Sequence, residues 1–211
     1  DVANPMLQAP VGDALDALGQ RLTTSPVSFS VYGFHSIARG FLGKEVFGEI
    51  TPTITQGYRG YTSQAGPVSW RTALQMAKTV LTGDMQVGCK GTVARTRYLV
   101  VLLVSLPDTS CSNPAFNVGV AQACSRLSPL ECSKCELSRL SLELAQLTRT
   151  HGAGEVEVQP IYLQDGPPDD SVKQQAEAIA QAGGTGFRTT TDINATLMSL
   201  NYASLQSELR L

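Results

Sequence analysis

The stretch Arg95-Thr-Arg-Tyr-Leu-Val-Val-Leu-Leu-Val-Ser-Leu-Pro-Asp108 decides how this chain folds. From Tyr98 to Ser105 the run is almost unbroken in its apolar character, with basic residues before it and Leu-Pro-Asp after it. A strand that is apolar on both faces must be covered on both faces. That places it at the centre of a mostly parallel sheet with helices above and below. Ligands of such sheets gather beyond the carboxyl ends of the central strands. Residues 105–108 are therefore where a site is expected, and they are poorly equipped for one.

Working outward, Val11, Leu15, Leu18 and Leu22 recur at helical spacing, and Thr-Thr-Ser-Pro closes that helix. Residues 27–34 alternate apolar and small polar, as a strand does. A further strand is expected over 46–54, confined by Pro52 to an edge or a bend, with a Gly/Tyr/Thr/Ser-rich loop over 55–67. Leu74, Ala77 and Leu81 mark a helix over 69–82, for which Gly83 is a plausible stop. After the central strand at 97–105 comes a cysteine-bearing insertion to about 135. A helix over 134–150 then turns Leu137, Leu140, Leu144 and Leu147 inward. A strand over 156–163, a helix over 171–182 ended by Gly183-Gly184, a short strand over 186–190 and a last helix capped by Asp192 complete the order. Strands alternating with helices of this length make right-handed βαβ units. The expected fold is α/β, a three-layer Rossmann-like sandwich in one domain spanning 1–211.

The 211 residues are 42% hydrophobic with a formal charge of −2. That balance, without a Lys/Arg cluster, argues against a nucleic-acid binder, and no apolar run reaches the roughly 18–20 residues that span a bilayer. A basic-then-apolar leader is absent from the sequence, so a signal peptide is expected to have been removed or to lie outside it. Cysteine usage says more. Cys89, Cys111, Cys124, Cys132 and Cys135 stand beside only two histidines, and four of the five cysteines fall between 111 and 135. This favours disulfides in an extracytoplasmic compartment (periplasm, outer membrane or cell surface) over a catalytic thiol, with one cysteine left over or bridging to another chain.

Placed in order, the segments resemble a von Willebrand factor type A (vWA) domain. Asp1-Val-Ala-Asn-Pro-Met6 is similar to that family's Asp-x-Ser-x-Ser-Met loop. Gly66-Pro-Val-Ser-Trp-Arg-Thr-Ala-Leu74 is similar to its Gly-Gly-Thr turn and helix. Ala178-Ile-Ala-Gln-Ala-Gly-Gly-Thr-Gly-Phe-Arg-Thr-Thr190 is similar to its late helix, double glycine and final strand. In detail the chain resembles cysteine-bearing envelope lipoprotein versions from proteobacteria such as myxobacteria. The resemblance implies a first strand ending just before Asp1, so a strand is expected from upstream or from another segment. The 205–211 tail likewise reads as cut.

The resemblance also implies a divalent cation at the top of the sheet, held by an aspartate and two serines, a threonine, and an aspartate after the central strand. A hard cation needs oxygen donors. Asp1 matches the first aspartate, but the serine positions are Ala3 and Pro5, the threonine position is Val68, and Leu106-Pro107 follows the strand. Ser69 and Asp108 are displaced by a residue or two, so Asp1, Ser69 and Asp108 form at most a remnant. No cofactor is expected, with Mg²⁺ or Ca²⁺ at such a remnant as the alternative.

Other candidates carry blander readings beside the functional ones. Cys132-Ser-Lys-Cys135 suits a thiol–disulfide oxidoreductase, because a helix N-terminus activates a thiol. It equally suits structural staples, or a zinc knot with Cys111 and Cys124. His35 and His151 stand in separate elements and support no catalytic triad. Gly183-Gly-Thr-Gly186 follows a helix and reads as a cap, not a phosphate cradle. Asp165-Gly-Pro-Pro-Asp-Asp170 reads as a turn and an N-cap before a calcium loop. Tyr58, Arg59, Tyr61 and Trp70 are residue types that favour protein interfaces, although Trp70 equally suits packing beneath its loop. The expected function is a non-catalytic protein-interaction or assembly domain of the cell envelope. The partner would be a protein, a larger envelope assembly or a segment completing the sheet. A cation-dependent adhesion domain is the alternative beside the oxidoreductase.

Overall fold

A computed structural model describes residues 8–23, 27–41, 47–61, 66–88, 97–112, 119–147, 155–163 and 168–200. Its elements in chain order are α1 (Gln8–Leu22), β1 (Tyr32–Phe34), β2 (Ala38–Gly40), α2 (Pro52–Arg59), α3 (Trp70–Gly88), β3 (Arg97–Val104), a short 3₁₀ turn (Ser110–Ser112), α4 (Pro129–Ala145), β4 (Glu155–Leu163), α5 (Asp170–Ala182), β5 (Arg188–Thr190) and α6 (Ile193–Ser199). The fold is α/β, with a small parallel sheet of order β3-β4-β5. Arg97 lies opposite Glu155 and Val104 opposite Tyr162; Ile161 to Leu163 then face Arg188 to Thr190.

The apolar run of β3 serves two cores at once, because successive side chains point to opposite faces. Tyr98, Leu102 and Val104 join a cluster with Trp70 and Leu74 of α3, Leu137, Leu140 and Leu144 of α4, and Ile179 of α5. Leu99, Val101 and Leu103 pack against a second cluster with Val11, Leu15 and Leu18 of α1 and Ile193 and Leu197 of α6. Asp169 caps α5 by accepting the Val172 N–H at 2.8 Å, and Asp192 caps α6 through the Ala195 N–H at 2.9 Å.

Several expected boundaries are corrected. Of residues 27–34 only Tyr32–Phe34 form a strand, paired antiparallel with β2, and Phe29 makes an isolated bridge to Gly48. Residues 52–59, the end of the strand expected over 46–54 and the start of the loop expected over 55–67, form α2 instead. Pro52 starts that helix at a position that needs no N–H, and Ile54, Thr55 and Tyr58 form its buried face. Helix α3 runs through Gly83 to Gly88, because Leu81 and Met85 on either side are buried. Their packing outweighs the roughly 1 kcal/mol that a glycine costs a helix interior. Helix α4 starts at Pro129, so Cys132 and Cys135 lie in its opening turns and not in a preceding loop. Among the described residues no helix is long and apolar enough to cross a membrane.

Candidate functional site at the carboxyl end of the central strand

Just beyond β3, Asp108 is 4% exposed and collects donors from three directions. Its Oδ2 accepts the backbone N–H of Trp70 at 2.7 Å and of Arg71 at 3.4 Å. Its Oδ1 accepts the Ser110 N–H at 3.0 Å, the Ser110 hydroxyl at 2.7 Å and the Ser133 hydroxyl at 3.0 Å. The backbone of Asp108 is clamped as well. Its N–H donates to Gln175 Oε1 at 2.8 Å, and its carbonyl accepts from Gln175 Nε2 at 2.9 Å. One residue thus ties the start of α3, the 3₁₀ turn, α4 and α5 to the end of the central strand.

Ser69 does the neighbouring job. It precedes α3, is buried, and its Oγ accepts the Thr72 N–H at 3.2 Å while pairing with the Thr72 hydroxyl at 2.9 Å. The first N–H groups of a helix have no partners within it. Here Asp108 takes those of Trp70 and Arg71, and Ser69 takes that of Thr72. The negative carboxylate also sits where the helix dipole favours it. Both oxygen-bearing side chains of the remnant cation site are thereby used as helix caps. Asp1, the third, lies outside the described residues. Among the described residues no three His, Cys, Asp or Glu side chains converge as a metal site would need.

The cysteines sit on the same edge. Cys111 in the 3₁₀ turn bridges to Cys132, and Cys124 bridges to Cys135. Cys132 and Cys135 are therefore bonded to different partners and not to each other, and the four thiolates of a zinc knot are consumed pairwise. Cys89 lies outside the described residues. Below the bridges, buried Glu136 accepts the Ala121 N–H at 2.7 Å and pairs with Arg139 at 2.8 Å. Arg139 also pairs with Glu143, which meets Lys78 of α3 at 2.7 Å. Burial alone would raise the Glu143 carboxyl, but the Lys78 hydrogen bond and the Arg139 charge outweigh it and hold it below the ordinary glutamate range.

Of the expected partner-binding residues the three aromatics turn inward. Trp70 is fully buried, and its indole N–H donates to the Leu106 carbonyl at 3.0 Å. Tyr58 and Tyr61 are buried too, each edge-on to Phe41 with ring centroids 5.9 and 5.7 Å apart. Burial pushes the Tyr58 phenol up to about 12. Arg59 reaches Asp13 at 2.6 Å and Asp16 at 2.7 Å, fastening α2 to α1. Tyr58, Tyr61 and Trp70 are packing groups here and Arg59 is a tether; of the loop expected over 55–67, residues 55–59 belong to α2. Among the described residues, Ile37 at the β1–β2 turn and Leu106 are exposed apolar side chains. His35 is partly buried; burial lowers its pKa, and its Nδ1 has no partner among the described residues. His151 lies outside the described residues.

Sequence reading missed Ser110, Ser133, Gln175 and Glu136. A signal for three of them existed: Gln175 interrupts the stripe Val172, Ala176, Ile179 on α5, and Ser133 and Glu136 interrupt the leucine face of α4. A polar residue on an inward stripe needs a buried partner. Compared with known proteins, the chain matches no family model and no curated protein.

Proposed function

We propose that this chain is a vWA-type three-layer domain whose cation site has been converted into a structural joint. Its role would be that of a non-catalytic interaction or assembly module of the cell envelope. The observation that carries the reading is the saturation of Asp108. A carboxylate has about four lone-pair positions, and five donors from α3, the 3₁₀ turn and α4 already address it. A cation there would have to displace bonds that hold the helices in place. The two disulfides support an oxidising compartment, and their pairing supports stapling over dithiol exchange at Cys132 and Cys135.

Titration of the purified chain with Mg²⁺, Ca²⁺ and Mn²⁺, followed by calorimetry and thermal melts with and without EDTA, tests the reading. The expected result is no saturable binding and an unchanged melt. Saturable binding that Asp108→Asn abolishes would overturn it in favour of a cation-dependent adhesion domain. Insulin reduction that depends on Cys132 would overturn it in favour of an oxidoreductase.

A further inference from the structure

The motif Cys132-Ser-Lys-Cys135 puts the α4 ends of both bridges three residues apart. Residues at that spacing are neighbours on one side of a helix, so the two bridges meet α4 next to each other. They differ in access. Cys111 and Cys132 are 8% and 3% exposed, which shuts the inner bridge from solvent at both ends. Cys124 is buried as well, but its partner Cys135 is partly exposed, which gives the outer bridge one open end. A thiol from solution therefore reaches the outer bridge first, because exchange depends on access to a sulfur.

Each bridge has hydrogen bonds beside it, and these hold different things. Ser110 precedes Cys111 and Ser133 follows Cys132, and both hydroxyls donate to Asp108 Oδ1, at 2.7 and 3.0 Å. The inner bridge is thus the covalent half of the joint that also caps α3 at Trp70. At the outer bridge, Glu136 follows Cys135 and accepts the N–H of Ala121, in the turn that carries Cys124, at 2.7 Å. With the outer bridge open, that bond still fastens the turn to α4 and Asp108 keeps all its donors. Opening the inner bridge instead removes the link between the two serines that address Asp108.

We propose that Cys132-Ser-Lys-Cys135 is an internal exchange site, which carries reduction from the exposed bridge to the buried one and makes the Asp108 joint redox-sensitive. A dithiol reductant supplies two electrons in the first step. One of its thiolates attacks Cys135 Sγ, and Cys124 leaves as a thiolate. The second thiolate then closes the reductant's own disulfide and frees Cys135, and the protons shed by the dithiol pass to the two cysteines. The Cys135 thiolate next attacks Cys132 Sγ. The Cys132–Cys135 bond forms, the Cys111–Cys132 bond breaks, and Cys111 takes the electron pair and then a proton. Cβ atoms three residues apart on a helix are about 5–6 Å apart and a disulfide needs about 3.5–4.5 Å, so the opening turns of α4 close by about 1–2 Å. A second dithiol reduces Cys132–Cys135 through its open end, leaving four thiols. The exchange rests on the bridges alone; its effect at Trp70 rests on the reading of Asp108 as a structural joint.

The test compares Cys124→Ser with Cys124→Ser/Cys135→Ser, which both lack the outer bridge and differ only in the exchanging thiol. Each is treated with dithiothreitol, trapped by alkylation at intervals and peptide-mapped for free Cys111. A thiol held within reach acts at an effective concentration of about millimolar or more, so against about 0.1 mM dithiothreitol Cys111 is expected to be released about tenfold faster where Cys135 is present. Equal rates overturn the proposal. The unsubstituted chain gives a second measurement that needs neither variant to fold. Its partly reduced molecules are expected to include one with a Cys132–Cys135 link and with Cys111 and Cys124 both alkylated. If every molecule that keeps one bridge keeps Cys111–Cys132, the proposal falls. Trp70 fluorescence, followed in the same reduction, is expected to change with the release of Cys111 and not with that of Cys124. No change, or one that tracks Cys124, overturns the coupling to the joint. Cation titration does not touch the cysteines, so failure of the exchange and failure of the Asp108 reading are distinguishable.

Discussion

The carboxylate of Asp108 accepts the backbone N–H of Trp70 at 2.7 Å, across 38 positions of sequence. Through this bond the loop after the central strand supplies the cap of a helix that precedes it. The same carboxylate takes the hydroxyls of Ser110 and Ser133, beside the Cys111–Cys132 bridge. The edge of the sheet where a ligand is expected is thereby occupied by joints between elements.

Replacing Asp108 by alanine leaves the Trp70 and Ser110 N–H groups and two serine hydroxyls without their carboxylate in a buried place. Hydrogen bonds to a charged group contribute about 1.5–3 kcal/mol each, and they are not additive here. The expected loss is about 3–5 kcal/mol of unfolding free energy. Asp108→Asn keeps the volume but turns a donor toward donors, and is expected to lose nearly as much. Trp70 is the sole tryptophan, so urea unfolding followed by its fluorescence reads this joint directly. A wild-type midpoint in Asp108→Ala would remove Asp108 from the structural role given to it.

Peptide mapping of the unreduced protein is expected to recover Cys111 linked to Cys132 and Cys124 linked to Cys135, with no Cys132–Cys135 link. The bridges close sequence separations of 21 and 11 residues. The chain-entropy argument gives each about 3 kcal/mol. Cys111→Ser with Cys132→Ser, and Cys124→Ser with Cys135→Ser, should each lower the unfolding free energy by about that amount. A recovered Cys132–Cys135 link would return the dithiol reading.

What the sequence made legible follows a physical rule. Strands β3 and β4, the leucine face of α4 and the caps Asp169 and Asp192 declare themselves through local pattern, and each is found within a few residues of its expected place. Helix α2 is not legible because a proline is compatible both with an edge strand or bend and with the first turn of a helix, and Pro52 takes the second place. The joint at Asp108 was illegible because its donors come from residues 70, 71, 110 and 133, and no periodicity links them. Residue type alone does not distinguish a surface aromatic from a core one: Tyr58 and Tyr61 are buried, and Trp70 takes the packing place that equally suited it. The cysteine count pointed to bridges, while the pairing needed the turn that carries Cys111 to α4.

Two acid-sensitive groups should lower stability in separate windows. His35 has a folded pKa below its ordinary value because it is partly buried. The unfolded chain therefore takes up the proton first, and stability falls as pH drops below about 6.5 until the folded form titrates too. Glu143, burial notwithstanding, is held below its ordinary value by Lys78 and Arg139. Its contribution is complete above about pH 4.3 and is lost as pH falls through the lower folded value. Denaturation midpoints measured from pH 8 to pH 3 should show the first decline disappear in His35→Gln and the second shrink in Glu143→Gln. If Glu143→Gln retains the full decline below about pH 4.3, the ion pairs to Lys78 and Arg139 do not set it.

The adjacent glycines after α5 should respond differently to the same substitution. A Cβ on Gly183 would lie 2.7 Å from both Ser141 Oγ and Val158 Cβ, where the end of α5 presses on α4 and β4. Its φ of −90° suits any residue, so the constraint there is space. Gly184 has φ of +76° with nothing within 4 Å of its added Cβ, so the constraint there is backbone conformation. Gly183→Ala is expected to cost about 1–3 kcal/mol by overpacking, and Gly184→Ala about 1 kcal/mol by left-handed strain. Ser141→Ala removes one of the two atoms nearest the new methyl, leaving Val158 Cβ, and with it goes the 2.8 Å bond from the Ser141 hydroxyl to the Ile179 carbonyl. Combined with Gly183→Ala it should recover part of the loss, whereas combined with Gly184→Ala it should simply add. A double-mutant cycle on urea midpoints reads the coupling, and additivity at Gly183 would place the origin of its cost elsewhere than at Ser141.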